Sequence, residues 1–263
     1  MTDWVATVIL ESDGNISNSQ RRKALLEVIN EFVGETDGDG VILFPAGYYD
    51  AGNSGANTLF KFTENEIRNG LSGIARNVIV CLGIDGGKDQ TVLAISKEGV
   101  LAIGRKFYPT DEEKRQGSVA VAKNYISLEE GRPRIFSLNG VRYFLAVCYD
   151  GFGIRRLNLQ NPGVNIILNL VHGFGPKSSP YYFARDGFAR TSQQWQCPVF
   201  GSAVFLDRKV MEWSSAIYQK EKVQMTWRYN SIKWVKIFHL TIPEGKASVR
   251  IYDLENILGR RTV

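Results

Sequence analysis

Cys148 and Lys106 are the two side chains whose chemistry and position in the sequence single them out. Cys148 ends the apolar run 143–147, and a polar turn that begins Tyr149-Asp150-Gly151 follows at once. We therefore expect a buried strand to deliver a thiol to the edge of a sheet, where open α/β sheets usually place their chemistry. The simpler interpretation is an inert core cysteine, since free cysteine is among the most buried residue types.

A nucleophilic thiol needs a neighbour that favours its thiolate, and Lys106 is the candidate. It follows the apolar run 100–103, so it would lie at a strand end. An ammonium there would lower the pKa of the thiol and stabilise the oxyanion formed when the thiol attacks a carbonyl or nitrile carbon. Most lysines are solvated surface charges, which is the alternative. Neither His172 nor His239 is an obvious base from its local sequence, although a cysteine–histidine pair stays possible.

The elements that must position these residues follow from hydrophobic periodicity. Capping boxes at Ser17/Gln20 and Thr63/Glu66 predict helices that run to about Gly34 and Arg76, and Ser179-Pro180 opens a third helix, through about Gln196. The charged stretch 110–116 is predicted to be a loop. Predicted strands cover residues 5–10, 40–44, 77–84, 91–96, 100–103, 134–138, 141–147, 164–170, 199–206, 235–241 and 247–252.

Two hairpins stand among these strands, one around Lys97-Glu98-Gly99 and one around Asn139-Gly140. The second is the stronger signal, because both turn positions need positive φ. Hairpins demand antiparallel pairs, so two purely parallel βαβ halves are disfavoured. The pattern predicts one domain with a large mixed sheet arrangement and helices outside it.

Composition narrows the class of protein. The 263 residues are 44% hydrophobic and 22% charged, as in ordinary globular chains. Three widely spaced cysteines, no CxxC motif and two histidines argue against a zinc site, and we expect no metal and no cofactor. The net charge of +5 comes from scattered residues, so we expect no nucleic-acid partner. With no membrane-length apolar run and no signal at Met1-Thr2-Asp3-Trp4, we expect a cytoplasmic protein with free thiols.

Three segments, in this order and at about this spacing, resemble the nitrilase, or carbon–nitrogen hydrolase, superfamily. VILFPAGYY (41–49) is similar to the family's strand that ends in Pro-Glu, GVLAIGRK (99–106) to its hairpin that ends in the catalytic lysine, and GVRYFLAVCYD (140–150) to its nucleophile strand. The resemblance covers about residues 4–206, and the part from about 207 diverges. We treat residues 1–263 as a single domain.

The resemblance implies an α+β fold, a four-layer α-β-β-α sandwich of two mixed β-sheets, paired as a homodimer or higher homo-oligomer. It also implies a Glu–Lys–Cys site that hydrolyses an amide, nitrile or carbamoyl substrate through a cysteine thioester. Cys148 would be the nucleophile and Lys106 the oxyanion stabiliser. The segment His172-Gly173 would border the substrate, and Tyr49 and Tyr149, together with Tyr48 and Tyr108, could line the pocket.

The sequence departs from the family at its general base. The glutamate position holds Ala46, which can neither take the thiol proton nor protonate a leaving amine. A positioned base contributes roughly 10²–10⁴-fold, so we expect impaired amide hydrolysis unless another carboxylate substitutes. The candidates are Asp50, Glu64, Glu112 and Glu113. Glu129 or Glu130 vaguely meets the family's second acidic position, and Gly151-Phe152-Gly153-Ile154 lacks the family's continuation after the cysteine.

Two hypotheses from different classes stay open. The first is an amidase-type carbon–nitrogen hydrolase, in which Ala46 is an inactivating substitution. The second is a natural pseudoenzyme of the same fold that serves as a ligand-binding or protein-interaction module. Cys81 and Cys197 lie in or beside apolar segments and are taken as structural.

Overall fold

The computed structural model describes residues 3–12, 17–206, 213–221, 228–243 and 245–259. Met1 and Thr2, which are part of the sequence inspected for a signal, lie outside these ranges. Within them the strands are β1 (Trp4–Ser12), β2 (Gly40–Leu43), β3 (Tyr49–Asp50), β4 (Val78–Gly86), β5 (Asp89–Ser96), β6 (Gly99–Arg105), β7 (Ile135–Leu138), β8 (Val141–Val147), β9 (Ile166–Phe174), β10 (Val199–Leu206), β11 (Ala216–Ile217), β12 (Lys236–Ile242) and β13 (Gly245–Asp253).

Helices fill most of the connections between these strands. They are α1 (Asn18–Glu35), α2 (Phe60–Leu71), α3 (Asp111–Gln116), α4 (Asp150–Arg156), α5 (Pro180–Tyr182), α6 (Arg190–Trp195) and α7 (Leu254–Leu258). A 3₁₀ helix, Ala56–Leu59, leads into α2, and a π-helical segment, Phe183–Ala189, joins α5 to α6. In the part of the chain that the structure describes, no helix combines the length and the apolar character needed to cross a membrane.

The sheet divides into two layers at β1. One edge of β1 pairs with the antiparallel β13 along residues 4–12. The other edge pairs in parallel with β2 through residues 4–7 and with β10 through residues 9–12. One layer continues through β2, β4, β5 and β6, and the other through β10, β9, β8 and β7. Contacts of β5 and β6 with β8, far away in the pairing order, show that the layers face each other.

Apolar side chains alternate between two cores because successive residues of a strand point to opposite faces. Val5 and Ile9 of β1 enter the core that contains Cys148 and most of β8 and β9. Ala6, Val8 and Leu10 enter a second core, with the buried faces of α1 and α2. The first core fills the space between the sheet layers and continues through the β8–β9 layer to its outer helices, where it includes Phe152, Phe188 and Trp195. The second core lies between the other layer and its outer helices. The predicted fold class, a mixed α+β sandwich of layered sheets and outer helices, is confirmed.

Most predicted elements are present close to their predicted bounds. Ser17 caps α1 with the full capping box. The Asn139-Gly140 hairpin has positive φ at both turn residues, +49° and +73°, and joins β7 to β8. The helix expected after Ser179-Pro180 forms, but a π-helical segment interrupts it.

The predicted helix start at Thr63/Glu66 is wrong. Helix α2 begins at Phe60, directly after the 3₁₀ helix, and its N-cap, Leu59, makes no side-chain capping bond. Thr63 is buried inside the helix, and Glu66 pairs with Arg22 of α1 instead of capping. Packing of the Ile67 and Leu71 face therefore decides this helix.

The predicted loop over residues 110–116 is also wrong, because it contains α3. Thr110 and Glu113 form a complete capping box, and Gly117 ends the helix in the left-handed conformation at φ +58°. None of the residues of α3 is buried. The Thr110/Glu113 capping box is a local helix signal that outweighs the charged composition of this stretch.

Candidate functional site

The chemistry-bearing residues converge at one edge of the two layers. Strand β2 pairs in parallel with β4 in one layer, and β9 pairs in parallel with β8 and β10 in the other. Asp85 lies near the end of β4 and Cys148 follows β8, while His172 lies near the end of β9. The antiparallel hairpin β5–β6 brings Lys106 back to the same edge. The carboxyl ends of parallel strands are the usual place for a site in such sheets.

Cys148 stands in a strained backbone conformation at the turn between β8 and α4. Its φ is +49°, in the left-handed region that L side chains rarely adopt. Its N–H donates to the carbonyl of Leu170 in β9 at 2.7 Å, which anchors the turn to the neighbouring strand. The residue is 8% exposed. Such strain at the end of a buried strand is characteristic of functional positions.

A buried ion pair holds this turn against the end of β6. Arg134 Nη1 lies 3.0 Å from Asp150 Oδ2, and both side chains are inaccessible to solvent. Asp150 Oδ1 accepts from the N–H groups of Phe107 and Tyr108 at 2.8 and 2.9 Å. Its Oδ2 also accepts from the N–H of Val147 at 3.0 Å. The segments that carry Lys106 and Cys148 are thus fixed to each other through one carboxylate.

An irregularity in β9 sets the position of His172. Ser202 of β10 pairs with Leu170 of β9, and Val204 of β10 pairs with Gly173 of β9. Two steps along β10 therefore correspond to three steps along β9. One extra residue of β9 is therefore accommodated between these pairs, a β-bulge that spans Val171 and His172. Bulges of this kind redirect side chains beside active sites.

The His172 ring is hydrogen-bonded to Asp85 and is a close neighbour of Cys148. Its Nε2 lies 2.9 Å from Asp85 Oδ2 and 3.2 Å from Oδ1. Cys148 is the other polar neighbour of the ring, and each of the two groups shifts the pKa of the other. With Nε2 directed at Asp85, Nδ1 is the nitrogen left for the thiol. Burial disfavours the imidazolium, but Asp85 and Cys148 outweigh burial and raise the pKa of His172 to about 10.

The same contacts favour the thiolate of Cys148. Burial acts to raise its pKa, but the neighbouring ring and backbone N–H of His172, together with the positive charges of His172 and Lys106, hold the pKa below its ordinary value. Cys81 and Cys197 have no such partners, and burial raises the pKa of both. Among the three cysteines, Cys148 has the environment of a reactive thiol.

Lys106 is 1% exposed and held by polar partners. Its Nζ lies 2.6 and 2.8 Å from the two carboxylate oxygens of Glu113 and 2.8 Å from Gln90 Oε1. Burial acts to raise the pKa of Glu113, but Lys106 and the Thr110 capping bonds lower it on balance. The lysine is therefore a fixed positive charge near the thiol, and α3 supplies its counter-ion.

Ala46 lies in the same core as Cys148, and its N–H donates to the carbonyl of Val171 at 3.2 Å. A Cβ added at the next residue, Gly47, would meet Asp85 Oδ2 at 3.0 Å and His172 Cδ2 at 3.1 Å. The His172–Asp85 pair thus lies directly against the backbone that carries the glutamate position of the resembled family.

The predicted pocket residues separate into two groups. Tyr149 is half-buried beside the thiol and stacks on Phe152, with ring centroids 4.8 Å apart. Gly173 follows His172 in β9. Tyr49 was predicted to line the pocket, but it lies in the outer core with α1 and α2, where its ring contacts Tyr48 and Phe62. A turn separates the two residues: Ala46 and Gly47 lie between β2 and β3, and Gly47 has a φ of +60°. The chain leaves this turn with Tyr49 in the outer core, whereas Ala46 lies in the core of Cys148.

Most of the candidate substitute carboxylates have other partners. Glu64 pairs with Lys61 and Arg68 on α2, and Asp50 accepts from the N–H of Gly52 in an exposed turn. Glu112 lies on the outer face of α3 and accepts from Gln116. Glu129 binds Arg105. Glu113 is the candidate that the structure brings to the site, where it binds Lys106.

Sequence reasoning missed Asp85 as a site residue. A signal was present, since an acidic residue followed by Gly86-Gly87 ends a buried strand on the edge where Cys148 was expected. The link from Asp85 to His172 joins residues 87 positions apart, and the bulge that turns His172 has no local sequence signal.

No family model matches the sequence, and no curated protein matches it. Solved structures do resemble the fold. A CN-hydrolase superfamily protein from Xanthomonas campestris, solved with an arsenic adduct in its active site, has a TM-score of 0.55 at 13% identity, over 78% of this chain and 76% of that one. The carbon–nitrogen hydrolase of Helicobacter pylori G27 has a TM-score of 0.58 at 10% identity, over 98% and 91%.

A mutant of the amidase from Nesterenkonia sp. AN1, which shows the Michael addition of acrylamide at its active-site cysteine, has a TM-score of 0.57. The identity is 11%, over 95% of this chain and 92% of that one. Similarity at this level of identity establishes the architecture. The fold of this chain is that of the carbon–nitrogen hydrolase, or nitrilase, superfamily.

Proposed function

We propose that this protein is an amidase-type carbon–nitrogen hydrolase that cleaves a non-peptide C–N bond through a thioester on Cys148. The observation that carries the proposal is the combination at Cys148 of a left-handed backbone and a lowered thiol pKa. The substrate class is an amide, nitrile or carbamoyl compound, in keeping with the fold. Lys106 supplies a fixed positive charge for the oxyanion formed on attack.

The chemistry would run in two stages. In the first, the Cys148 sulfur adds to the carbonyl carbon and the C=O π pair moves to oxygen; the oxyanion then collapses, and the C–N bond breaks with protonation of the leaving nitrogen. In the second, water adds to the thioester carbon and the C–S bond breaks, which releases the acid and restores the thiol. Lys106 favours both oxyanions electrostatically.

Acrylamide is a direct probe of the nucleophile, since it adds to the active-site cysteine of the Nesterenkonia amidase. We expect one adduct, at Cys148, located by peptide mass spectrometry after reaction near neutral pH. Cys81 and Cys197 are internal controls, because burial raises the pKa of both thiols. Equal labelling of the three thiols, or none at Cys148, would contradict the proposal.

Turnover is measured on a panel of amides, nitriles and N-carbamoyl compounds. We expect hydrolysis by the wild-type chain to be slow, since Ala46 transfers no proton, and to fall by at least about 10³-fold in Cys148→Ser. A serine hydroxyl is a much weaker acid than a thiol, so the neighbours of Cys148 do not ionise it. Cys197→Ser is the matched control and should keep the wild-type rate. Activity that persists in Cys148→Ser would rule out this nucleophile.

A second candidate is a pseudoenzyme that binds a ligand without turning it over. Ala46 favours it, since the side chain at the glutamate position carries no proton-transferring group. Saturable binding of the panel compounds by calorimetry, with no product and no acyl adduct on Cys148, is the outcome expected of this candidate. Assembly as a homodimer, a single domain over residues 1–263 and a cytoplasmic location stay predictions.

A further inference from the structure

We propose that His172, oriented by Asp85, has taken over the proton transfers that a glutamate at position 46 would perform. The inference rests on the proposed nucleophile, Cys148, and assigns the missing base and acid of the same reaction. His172 would be a catalytic residue that exchanges a proton with the reacting atoms, and Asp85 would be a positioning residue that acts through the imidazole.

The first support is the position of the pair. A Cβ on Gly47 would lie closer than ordinary van der Waals contact to both Asp85 and His172, at 3.0 and 3.1 Å, so the pair packs against the residue that follows Ala46. Any acid or base that served Cys148 from the glutamate position would have to work in this space. With alanine at position 46, the ring reaches the thiol from the neighbouring strand β9.

The second support is that the two ring nitrogens of His172 have different partners. Nε2 is engaged by the Asp85 carboxylate at 2.9 Å, which leaves Nδ1 for the sulfur. A carboxylate on one nitrogen fixes the tautomer and the ring orientation and stabilises the imidazolium that forms. In unrelated folds, cysteine and serine nucleophiles are activated by the same relation of nucleophile, imidazole and orienting third group.

The third support is that the backbone of β9 positions His172 between the Cys148 turn and the Ala46 segment. The bulge in β9 lies at Val171 and His172, and the carbonyl of Leu170 just before it holds the Cys148 N–H. The carbonyl of Val171 holds the Ala46 N–H. Three consecutive residues of β9 therefore organise the nucleophile turn, the Ala46 segment and the ring between them.

The proton balance closes with this one group. Nδ1 takes the thiol proton as the thiolate forms, and the thiolate adds to the carbonyl carbon. When the oxyanion collapses, the Nδ1 proton passes to the leaving nitrogen as the C–N bond breaks. In deacylation Nδ1 takes a proton from water while the hydroxide adds to the thioester, and the thiolate that leaves receives this proton back. For an amide or carbamoyl substrate, one water is consumed per C–N bond cleaved.

The decisive experiment needs no substrate. The rate of Cys148 alkylation by iodoacetamide, followed site by site with mass spectrometry from pH 4 to 11, reports the thiol pKa. We expect a midpoint below the ordinary value of about 8.5 in the wild type and a midpoint at or above it in His172→Gln. His239→Gln is the matched control, since His239 lies on β12 and bonds Ser248; it should leave the midpoint unchanged. An unchanged midpoint in His172→Gln would overturn the proposal.

A second measurement guards against a variant that does not fold. The chain has two histidines, so NMR of the ¹⁵N-histidine-labelled wild type resolves both rings. We expect the His172 ring to stay protonated well above pH 7, with its pKa raised, and Asp85→Asn to lower that pKa. A His172 ring that titrates near 6.5 in the wild type would overturn the proposal.

Turnover then separates this inference from the proposed function. If the wild type is active, His172→Gln should lose about 10²–10⁴-fold in kcat/KM. Asp85→Asn should shift the basic limb of the pH–rate profile to lower pH, a readout that a merely structural role would not move. An active wild type with unimpaired His172→Gln would defeat this inference alone. An inactive wild type whose thiol midpoint still depends on His172 would defeat the proposed turnover and leave the pair standing.

Discussion

The backbone of Cys148 is costly for any residue with a side chain. A non-glycine residue in the left-handed region loses roughly 1–2 kcal/mol relative to glycine, and Cys148 adopts a φ of +49° with its side chain largely buried. The turn persists because the Leu170 carbonyl and the Asp150 carboxylate fix it from both sides. The strained turn therefore lowers the stability of the fold, but it holds the Cys148 sulfur at the end of β8.

This strain predicts the order of stability of two variants. Cys148→Gly relieves it and Cys148→Ala does not, so we expect Cys148→Gly to exceed Cys148→Ala in free energy of unfolding by about 1 kcal/mol. Urea denaturation followed by fluorescence measures the difference. The same pair of substitutions at Cys197, which has no positive φ, should give the opposite order, since glycine there only adds chain entropy. Equal stability of the two Cys148 variants would mean that the turn is not strained.

At the scale of elements, α3 acts as the cover of a buried charge. It is short, and none of its residues is buried, so it has little apolar contact to hold it in place. What fixes it is its capping box and the ion pair from Glu113 to Lys106, with Nζ to Oε1 at 2.6 Å. The helix and the ammonium therefore stabilise each other.

Glu113→Gln tests this dependence. The amide keeps the shape of the side chain but leaves the Lys106 ammonium buried without a counter-charge, so we expect a loss of at least about 1–3 kcal/mol in free energy of unfolding. Glu112→Gln, on the outer face of the same helix, is the control and should change stability little.

The loss of unfolding free energy in Glu113→Gln should also depend on pH. The pKa of Glu113 is lower in the folded than in the unfolded protein. The ion pair therefore stabilises the fold fully above the unfolded pKa of about 4.3, and this stabilisation is lost as pH falls through the folded pKa. The gap between wild type and Glu113→Gln should therefore narrow in acid. A gap that is constant from pH 7 to pH 3 would show that the ion pair is not its source.

At the scale of the whole molecule, the fork of the sheet at β1 holds the two layers together. Thr7 lies at the point where pairing passes from β2 to β10, and its Oγ1 donates to Ser215 Oγ at 3.0 Å. Ser215 in turn shares a hydrogen bond of 2.8 Å with the Tyr252 hydroxyl of β13. Both contacts are buried. A polar network therefore links three separate parts of the chain at the branching point.

Tyr252→Phe should weaken this junction without disturbing the site. Removal of the hydroxyl leaves a partner of Ser215 missing in the interior, at a cost of about 1–3 kcal/mol in free energy of unfolding. The pH midpoint of Cys148 alkylation should stay at its wild-type value. Tyr218→Phe, whose hydroxyl makes an exposed bond to the Gln196 carbonyl at 3.4 Å, is the matched control. A changed Cys148 midpoint in Tyr252→Phe would mean that the fork and the site are coupled.

Local patterns in the sequence determined a mixed sheet with outer helices and the elements that carry Cys148 and Lys106, whereas the layered arrangement followed from the resemblance to a family. Alternation of apolar residues, the Asn139-Gly140 turn and the Ser17 capping box act over a few residues, so they could be recognised without coordinates. At Thr63 the local capping pattern predicts the wrong helix start, because packing decides where α2 begins. At Thr110 the capping box is present, but the charged composition of the stretch favours a loop prediction.

Only the tertiary structure decided which groups surround the thiol. The ring of His172 meets Asp85 from a strand far along the chain, and the β9 bulge that brings it there depends on the register of two paired strands. Tyr49 lies in the outer core because the chain reverses at Gly47, whose φ is +60°, between the Ala46 position and β3. Contacts of this kind arise from the meeting of distant segments, so no local pattern of residues encodes them, whereas a strand, a cap or a turn is decided by its immediate neighbours.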